Sequence, residues 1–259
     1  MAVNYEKKEH IVKITLNRPE VLNAFNKDMH EELNASFIRF REDSEAWVAI
    51  VTGAGEKSFS VGQDTKELGE MLSDMDSIPN IWDILVNQDL QGGLELYKPV
   101  IAAVNGYCIG EGLCLIMACD LRLAAQGATF AYSEVALGMP TIVGAVRAAQ
   151  LMDLGHALEL LLLGEKRDAA WAYRTGLVNE VFPDDQLEEK AMAWAQRLCD
   201  VGPVATRCTK EVAIRSRQMG FYDAVRMGEG MRRAAFQTKD AFEGIQAFAE
   251  KRKPEFNGK

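Results

Sequence analysis

The sequence has little of what holds small cross-linked or metal-bound folds together. It has five cysteines, Cys108, Cys114, Cys119, Cys199 and Cys208, and no C-x-x-C pair. The number is odd and three of them fall in one apolar stretch, so a disulfide framework is not expected; a reducing compartment, the cytoplasm, is. The three histidines, His10, His30 and His156, are scattered. With cysteines placed as they are, no zinc-type ligand spacing arises, and no metal is expected. No apolar run reaches the roughly 18 residues of a membrane span. Met1 to His10 lacks the apolar segment of a secretory signal. Positive charge is in deficit, with 29 Lys and Arg against 38 Asp and Glu, a formal net charge of −9. Such a surface repels phosphate backbones and anionic lipid, so neither nucleic acid nor a membrane is an expected partner. An anionic ligand would need a local cluster of basic groups or backbone N–H donors.

The 259 residues, 48% hydrophobic and 26% charged, fit one large domain, or one domain with a small appendage, around a sizeable core. Strand-like and helix-like runs alternate. Ile11 to Leu16 alternates apolar and polar residues, as a half-buried strand does. Leu22 to Phe40 has helical spacing, with Met29, Leu33, Phe37 and Phe40 near one face. Strands are predicted at Ala46 to Val51, Val100 to Val104, Leu121 to Ala124 and Leu177 to Phe182. Helices are predicted at Gly112 to Cys119, Ala157 to Leu163 and Asp168 to Thr175. This order implies parallel strands joined by crossovers, an α/β architecture. Met71 to Leu90 reads as a loop with a short helix. After Pro183 only helical patterns follow, broken at Gly202-Pro203 and ended at Lys253-Pro254. That helical tail has the texture of an assembly module.

Three segments carry chemistry. In Lys57 to Leu68, Gly62 allows a tight turn that presents successive backbone N–H groups, and Asp64 suits a helix N-cap. A simple turn with a cap would have the same residues; an oxyanion cradle is the functional alternative. In Lys98 to Leu115 a buried strand ends at a glycine turn, and Gly110 and Gly112 open an apolar helix. Its free N-terminal N–H groups suit an oxyanion. The G-x-G-x-x-G dinucleotide pattern is not completed, because Leu115 occupies the last position. In Phe130 to Pro140 a lone Glu134 sits among Tyr132, Val135, Ala136 and Leu137. It is either a surface residue at a helix start or, if buried, a carboxyl with a raised pKa suited to acid–base work.

Together the three segments resemble the crotonase (enoyl-CoA hydratase/isomerase) superfamily. The first resembles its A-F-x-A-G-x-D-x-K-E signature. The second resembles its K-P-x-I-A-A-x-x-G-x-x-x-G-x-G segment, and the third its F-x-x-x-E-x-x-x-G segment. Asn17 to Ala24, Thr175 to Val178 and Phe248 to Phe256 resemble three further family elements, in order and across the whole chain. The resemblance implies a crotonase-like spiral of β-β-α turns over residues 1–195, with a helical trimerisation region over 196–259. It implies an acyl-CoA substrate, a homotrimer or hexamer, and no cofactor beyond the coenzyme A of the substrate. By position it implies that the backbone N–H groups of Gln63 and Glu111 hold the thioester oxygen and that Glu134 moves a proton. Ser60, Gln63, Asp64, Thr65 and Lys66 would lie along the coenzyme A, and Phe248 and Lys251 would reach a neighbouring subunit's.

The departures from the family pattern are local. Hydratases of the family use two carboxylates around one water; Glu134 falls on the second and Cys114 on the first. The glycine-rich turn that follows reads Pro140-Thr141-Ile142-Val143-Gly144. One carboxylate can still shuttle a proton along an allylic system, so isomerisation stands beside hydration. Hydrolysis or retro-aldol cleavage of a CoA thioester, and non-catalytic acyl-CoA binding, are further alternatives. Cys114 is expected to be a packing residue. Glu111 stands where the family often has Gly. It shares a helix face with Cys114, and its side chain is expected to point away from the pocket.

Overall fold

The structure is a computed structural model and describes residues 1–73 and 89–259. The chain opens with strands β1 (Val3–Lys8) and β2 (Ile11–Leu16), an antiparallel pair in which Val3 faces Leu16 and Lys8 faces Ile11. Helix α1 (Lys27–Glu42) follows and buries the stripe Met29, Leu33, Phe37 and Phe40. The helix expected from Leu22 thus begins five residues later. Leu22 and Asn23 take positive φ, at 56° and 58°, which no helix tolerates. Asn23 is fully buried there, donating to Ala54 O and Ser58 O and accepting from Arg18 N. Asn26 then caps α1 by accepting from Met29 N at 3.0 Å.

From there the chain winds in repeating turns of strand, strand and helix. The first turn is β3 (Val48–Gly53), β4 (Ser58–Ser60) and α2 (Thr65–Ser73). The second is β5 (Val100–Val104), β6 (Tyr107–Ile109) and α3 (Glu111–Ala118). The third is β7 (Leu121–Ala125), β8 (Thr129–Ala131), a short 3-10 turn at Glu134–Leu137, then α4 (Val143–Leu151) and α5 (Leu154–Leu162). The short β9 (Arg167–Asp168), α6 (Ala169–Arg174) and β10 (Glu180–Phe182) close the spiral. The first strand of each turn joins a six-stranded sheet in the order β1-β2-β3-β5-β7-β10, parallel from β2 onward. The second joins a four-stranded sheet in the order β4-β6-β8-β9. All five residues of β5 are buried, as expected of a central parallel strand covered on both faces.

The expected parallel α/β order holds, and the second sheet is the addition. Its strands are two or three residues long, too short for period-two alternation to register. The strand expected over Leu177 to Phe182 shrinks to its last three residues, because Leu177 and Val178 pack in the core outside the ladder. The region expected as a loop with a short helix, Met71 to Leu90, lies mostly outside the described residues; its first residues close α2.

Four helices complete the chain: α7 (Leu187–Cys199), α8 (Pro203–Ser216), α9 (Phe221–Ala235) and α10 (Lys239–Glu250). A division at 195/196 falls within α7, which packs against β3, β5 and β7 through Leu187, Ala191 and Ala195. The break in helix comes later, at Asp200 to Gly202. Lys210 of α8 ties the tail to the core, bonding Asp120 Oδ2 at 2.6 Å and Lys98 O at 2.8 Å. Among the described residues no helix is long and apolar enough to cross a membrane.

Candidate active site

After β4 the chain turns at Gly62, whose φ is +88°. A side chain there would meet Ile109 O at 3.0 Å and Glu111 N at 3.2 Å. Glycine is therefore what lets the β4 loop lie against the start of α3. Gln63, next in the chain, pairs across to Phe25: Phe25 N donates to Gly62 O at 2.8 Å and Asp64 N to Phe25 O at 2.7 Å. The N–H of Gln63 itself has no acceptor among the described residues. Glu111 N is likewise free, since it opens α3, and the N–H groups of Leu113 and Cys114 take Gly110 O. Two unbonded donors thus lie on adjacent segments at the positive end of a helix.

Glu134 comes from the opposite side, on the 3-10 turn after β8. A Cβ on Gly110 would be 3.3 Å from its Oε1, so the carboxyl rests against the residue before Glu111. Its Oε2 is buried with no hydrogen-bond partner. Burial raises the Glu134 pKa above the ordinary carboxylate value. The three features expected from sequence are therefore brought together. They form a site with two N–H donors that have no acceptor among the described residues and one carboxyl whose pKa burial raises.

Cys114 lies inside α3, 6% exposed, with Sγ 3.6 Å from Tyr132 Oη. Tyr132 is fully buried, and its Oη also lies 3.4 Å from Met117 Sδ. Burial pushes the Cys114 thiol up to about 11, so it is no thiolate nucleophile and cannot act as an ionised carboxylate would. Gly144 of the altered turn packs so closely on Tyr132 that a Cβ would fall 2.4 Å from Cζ.

The Glu111 side chain, expected to point away from the pocket, packs against His30 and Gln91. It does not point out to solvent but is turned inward, with Oε2 3.5 Å from His30 Nε2 and Oε1 3.4 Å from Gln91 Nε2. Burial raises its pKa, and His30 opposes that shift. Arg147 of α4 holds the Gln91 segment by donating to Gln91 O at 2.6 Å and Leu90 O at 3.1 Å. None of His30, Gln91 and Arg147 was marked as a site residue from sequence. His30 carries no local motif, and its meeting with Glu111 joins residues far apart in the chain.

Of the residues expected along coenzyme A, Ser60 is fully buried and donates to Asn23 O at 2.7 Å. Asp64 pairs with Arg18 at 3.1 Å and accepts from Lys66 N. Thr65 and Lys66 open α2 and are exposed. Phe248 is 87% exposed on α10, and Lys251 follows that helix in a left-handed conformation. No hydrogen bond or ion pair among the described residues links these two to Gln63, Glu111 or Glu134. Lys98, which opens the second segment, and Asp120, which follows α3, are structural. Lys98 Nζ bonds Phe40 O and Asp43 O, and Asp120 accepts from Val100 N.

A family model described as enoyl-CoA hydratase/isomerase matches residues 6–259. The chain belongs to that family. It is 32% identical over 259 residues to the (E)-benzylidenesuccinyl-CoA hydratase of Thauera aromatica, covering 100% of both chains. It is 36% identical to the short-chain-enoyl-CoA hydratase of Clostridium acetobutylicum, covering 96% of this chain and 95% of the relative. It is 38% identical to the carnitinyl-CoA dehydratase of Citrobacter koseri, with the same coverage. Among solved structures, the enoyl-CoA hydratase of Bacillus anthracis superposes with a TM-score of 0.91 at 33% identity over 100% of both chains. That of Mycobacterium tuberculosis H37Rv gives 0.90 at 30%, over 100% of this chain and 99% of the other. The two-sheet spiral is the crotonase fold, and this member of the family is an acyl-CoA enzyme of hydratase/isomerase type.

Proposed function

We propose that this protein adds water across the C2=C3 bond of a 2-enoyl-CoA, or removes it from the 3-hydroxyacyl-CoA. The observation that carries this is the convergence of the two N–H groups of Gln63 and Glu111, which have no acceptor among the described residues, with the Glu134 carboxyl, whose Oε2 is buried without a hydrogen-bond partner. In this mechanism the thioester oxygen lies between the two donors, which gain strength as it takes on enolate charge. Each such donor contributes on the order of 3 kcal/mol to the transition state. Glu134 moves the proton, and its raised pKa suits both taking and giving. The relatives' names, two hydratases and a dehydratase, support water addition and removal at a CoA thioester.

A second activity, shifting a 3-enoyl to a 2-enoyl double bond, is favoured by one observation: Cys114 where a second carboxylate would stand. That shift needs only one base beside the oxyanion donors. The β4 loop, Ser60 to Lys66, would lie along the coenzyme A. Phe248 and Lys251 would reach the coenzyme A of a neighbouring subunit in a homotrimer or a hexamer of paired trimers. The tail helices, with their exposed Phe221, Tyr222, Phe242 and Ile245, would form the assembly region beside the spiral core. The test is incubation with 2-enoyl-, 3-enoyl- and aromatic enoyl-CoAs, with products identified by mass and NMR. Hydroxyacyl-CoA from a 2-enoyl substrate is expected. Isomer alone would replace the first activity by the second, and no turnover of any thioester would sink both.

A further inference from the structure

We propose that the Glu111 carboxyl is a second catalytic acid of this site, working with Glu134, and that His30 is its positioning partner. This rests on the hydratase reading above. The geometry begins with α3. Residues 111 and 114 are three apart, so their side chains leave one face of the helix, one turn from each other. Cys114 fills the place of a carboxylate and is too apolar in its surroundings to replace it. A carboxyl is nevertheless supplied from the same face, one turn earlier. It belongs to the very residue whose N–H is an oxyanion donor.

Three observations separate this side chain from an ordinary helix-end glutamate. It is inside, only 21% of its side chain being exposed. Its partners are held in place from two directions. His30 on the first turn of α1 lies against Phe25, ring centroids 5.2 Å apart, and Phe25 is the residue bridged to Gln63. Gln91 is gripped through its carbonyl by Arg147. Finally, Glu134 reaches the same helix start: a Cβ on Gly110, the residue before Glu111, would lie 3.3 Å from Glu134 Oε1. The charged groups near Glu111 are His30 from α1, Asp89 and Glu134. The gaps of 3.5 Å and 3.4 Å to His30 and Gln91 are longer than well-made hydrogen bonds, as is common at catalytic groups before substrate binds.

The pairing also removes an electrostatic objection. A bare carboxylate beside a forming enolate would oppose its charge. A Glu111–His30 pair holding one proton is net neutral whichever member carries it, so it can stand beside the oxyanion and donate. In hydration, ionised Glu134 takes a proton from water as the water oxygen bonds to C3. The C2=C3 electron pair moves toward C2 and onto the thioester oxygen held by the two N–H groups. C2 then takes a proton from the Glu111–His30 pair. Glu134 is left protonated and the pair one proton short; transfer of that proton through solvent restores both. Dehydration is the reverse.

The test compares Glu111→Gln, Glu111→Gly, His30→Gln and the double variant His30→Gln with Glu111→Gln. Substrate is the 2-enoyl-CoA turned over best by the wild type. Glutamine keeps the backbone donor, the shape and the contacts to His30 and Gln91, and removes only the acid. Glu111→Gln and Glu111→Gly should each lose at least about 100-fold in kcat, the low end for general acid–base catalysis. KM and acyl-CoA affinity should change far less. His30→Gln should lower kcat by a smaller factor, and the double variant should be no slower than Glu111→Gln alone, because both act in one step. Wild-type kcat in Glu111→Gln would reduce the side chain to a strut and overturn the proposal. Multiplying losses in the double variant would overturn the role of His30. In either case wild-type hydration and its dependence on Glu134 would leave the hydratase reading standing. A wild type that hydrates no enoyl-CoA would sink that reading and this proposal together.

Discussion

In the spiral core, Phe25, Phe37, Phe40, Phe59 and Phe130 are each 1% exposed or less, whereas on and beside α9 and α10 six residues are 64% exposed or more: Phe221, Tyr222, Phe236, Phe242, Ile245 and Phe248. The two regions have similar apolar residues and differ in what lies over them. In the core, the central strand β5 of the large sheet is buried along its whole length, and an aromatic on α1 or β8 is enclosed by elements from other turns of the spiral. The tail helices have too few neighbours within one chain for that. Between them α9 and α10 fully bury only Ala224, Asp240 and Ala247. Helices with one apolar face uncovered mark an interaction surface. The contrast teaches that the core can be judged by packing within the chain and the tail cannot.

The strongest way to sharpen the contrast is to remove bulk from the core. Phe130→Ala should lower unfolding stability by about 3–5 kcal/mol, the usual cost of an aromatic cavity, in urea or thermal melts. An equal loss from Phe242→Ala in the dissociated chain would erase the difference between the regions.

Glu134 tests the opposite property of the core, the burial of a polar group without a partner. Glu134→Gln should reduce turnover at least about 100-fold. It should also leave the fold no less stable. A carboxyl whose folded pKa is raised above 4.5 contributes stability that is present below the unfolded pKa and lost as pH rises through the folded one. Glutamine escapes that loss, so the variant should melt at or above the wild-type temperature at neutral pH. As pH falls through the raised pKa, wild-type kcat/KM should fall too, because the base becomes protonated. A pH-independent rate with unchanged turnover in Glu134→Gln would remove this residue from the chemistry.

In the tail, Phe242→Asp should shift the proposed trimer or hexamer to smaller species in sedimentation while leaving the core's circular dichroism intact. Unchanged size would mean that this face is not the one covered. The smallest effect is expected at Cys114→Ala, which removes one buried sulfur for about 1 kcal/mol and leaves most activity. Substrate-protected alkylation of Cys114 with loss of turnover would contradict its role as packing.

Much of this site was legible in the sequence. Gly62 and Gly110 announce two places where backbone must turn with positive φ. The apolar run after Gly112 announces a helix whose first N–H groups are free. Glu134 stands out as one charge in apolar company. The four strands of the small sheet were not legible, since two or three residues cannot display a period. Nor was the delayed start of α1, where Asn23 follows tertiary partners at Ala54 and Ser58 rather than the helical spacing around it. The partners of the Glu111 side chain, His30 and Gln91, were not legible for the same kind of reason. A favourable helix N-terminus is a local preference worth about 0.3–1 kcal/mol, and it does not say which neighbours enclose the residue.

By itself, the sequence determined the periodic elements, the glycine turns, the acidic balance and the identity of the carboxyl at 134, because each depends on residues near one another in the chain. Only the tertiary structure decided that Gly62 packs on Glu111, that Glu134 comes to rest against Gly110, and that His30 and Gln91 close around the Glu111 carboxyl. Those contacts join different turns of one spiral. Their geometry depends on how the sheets stack, and no local pattern of side chains encodes it.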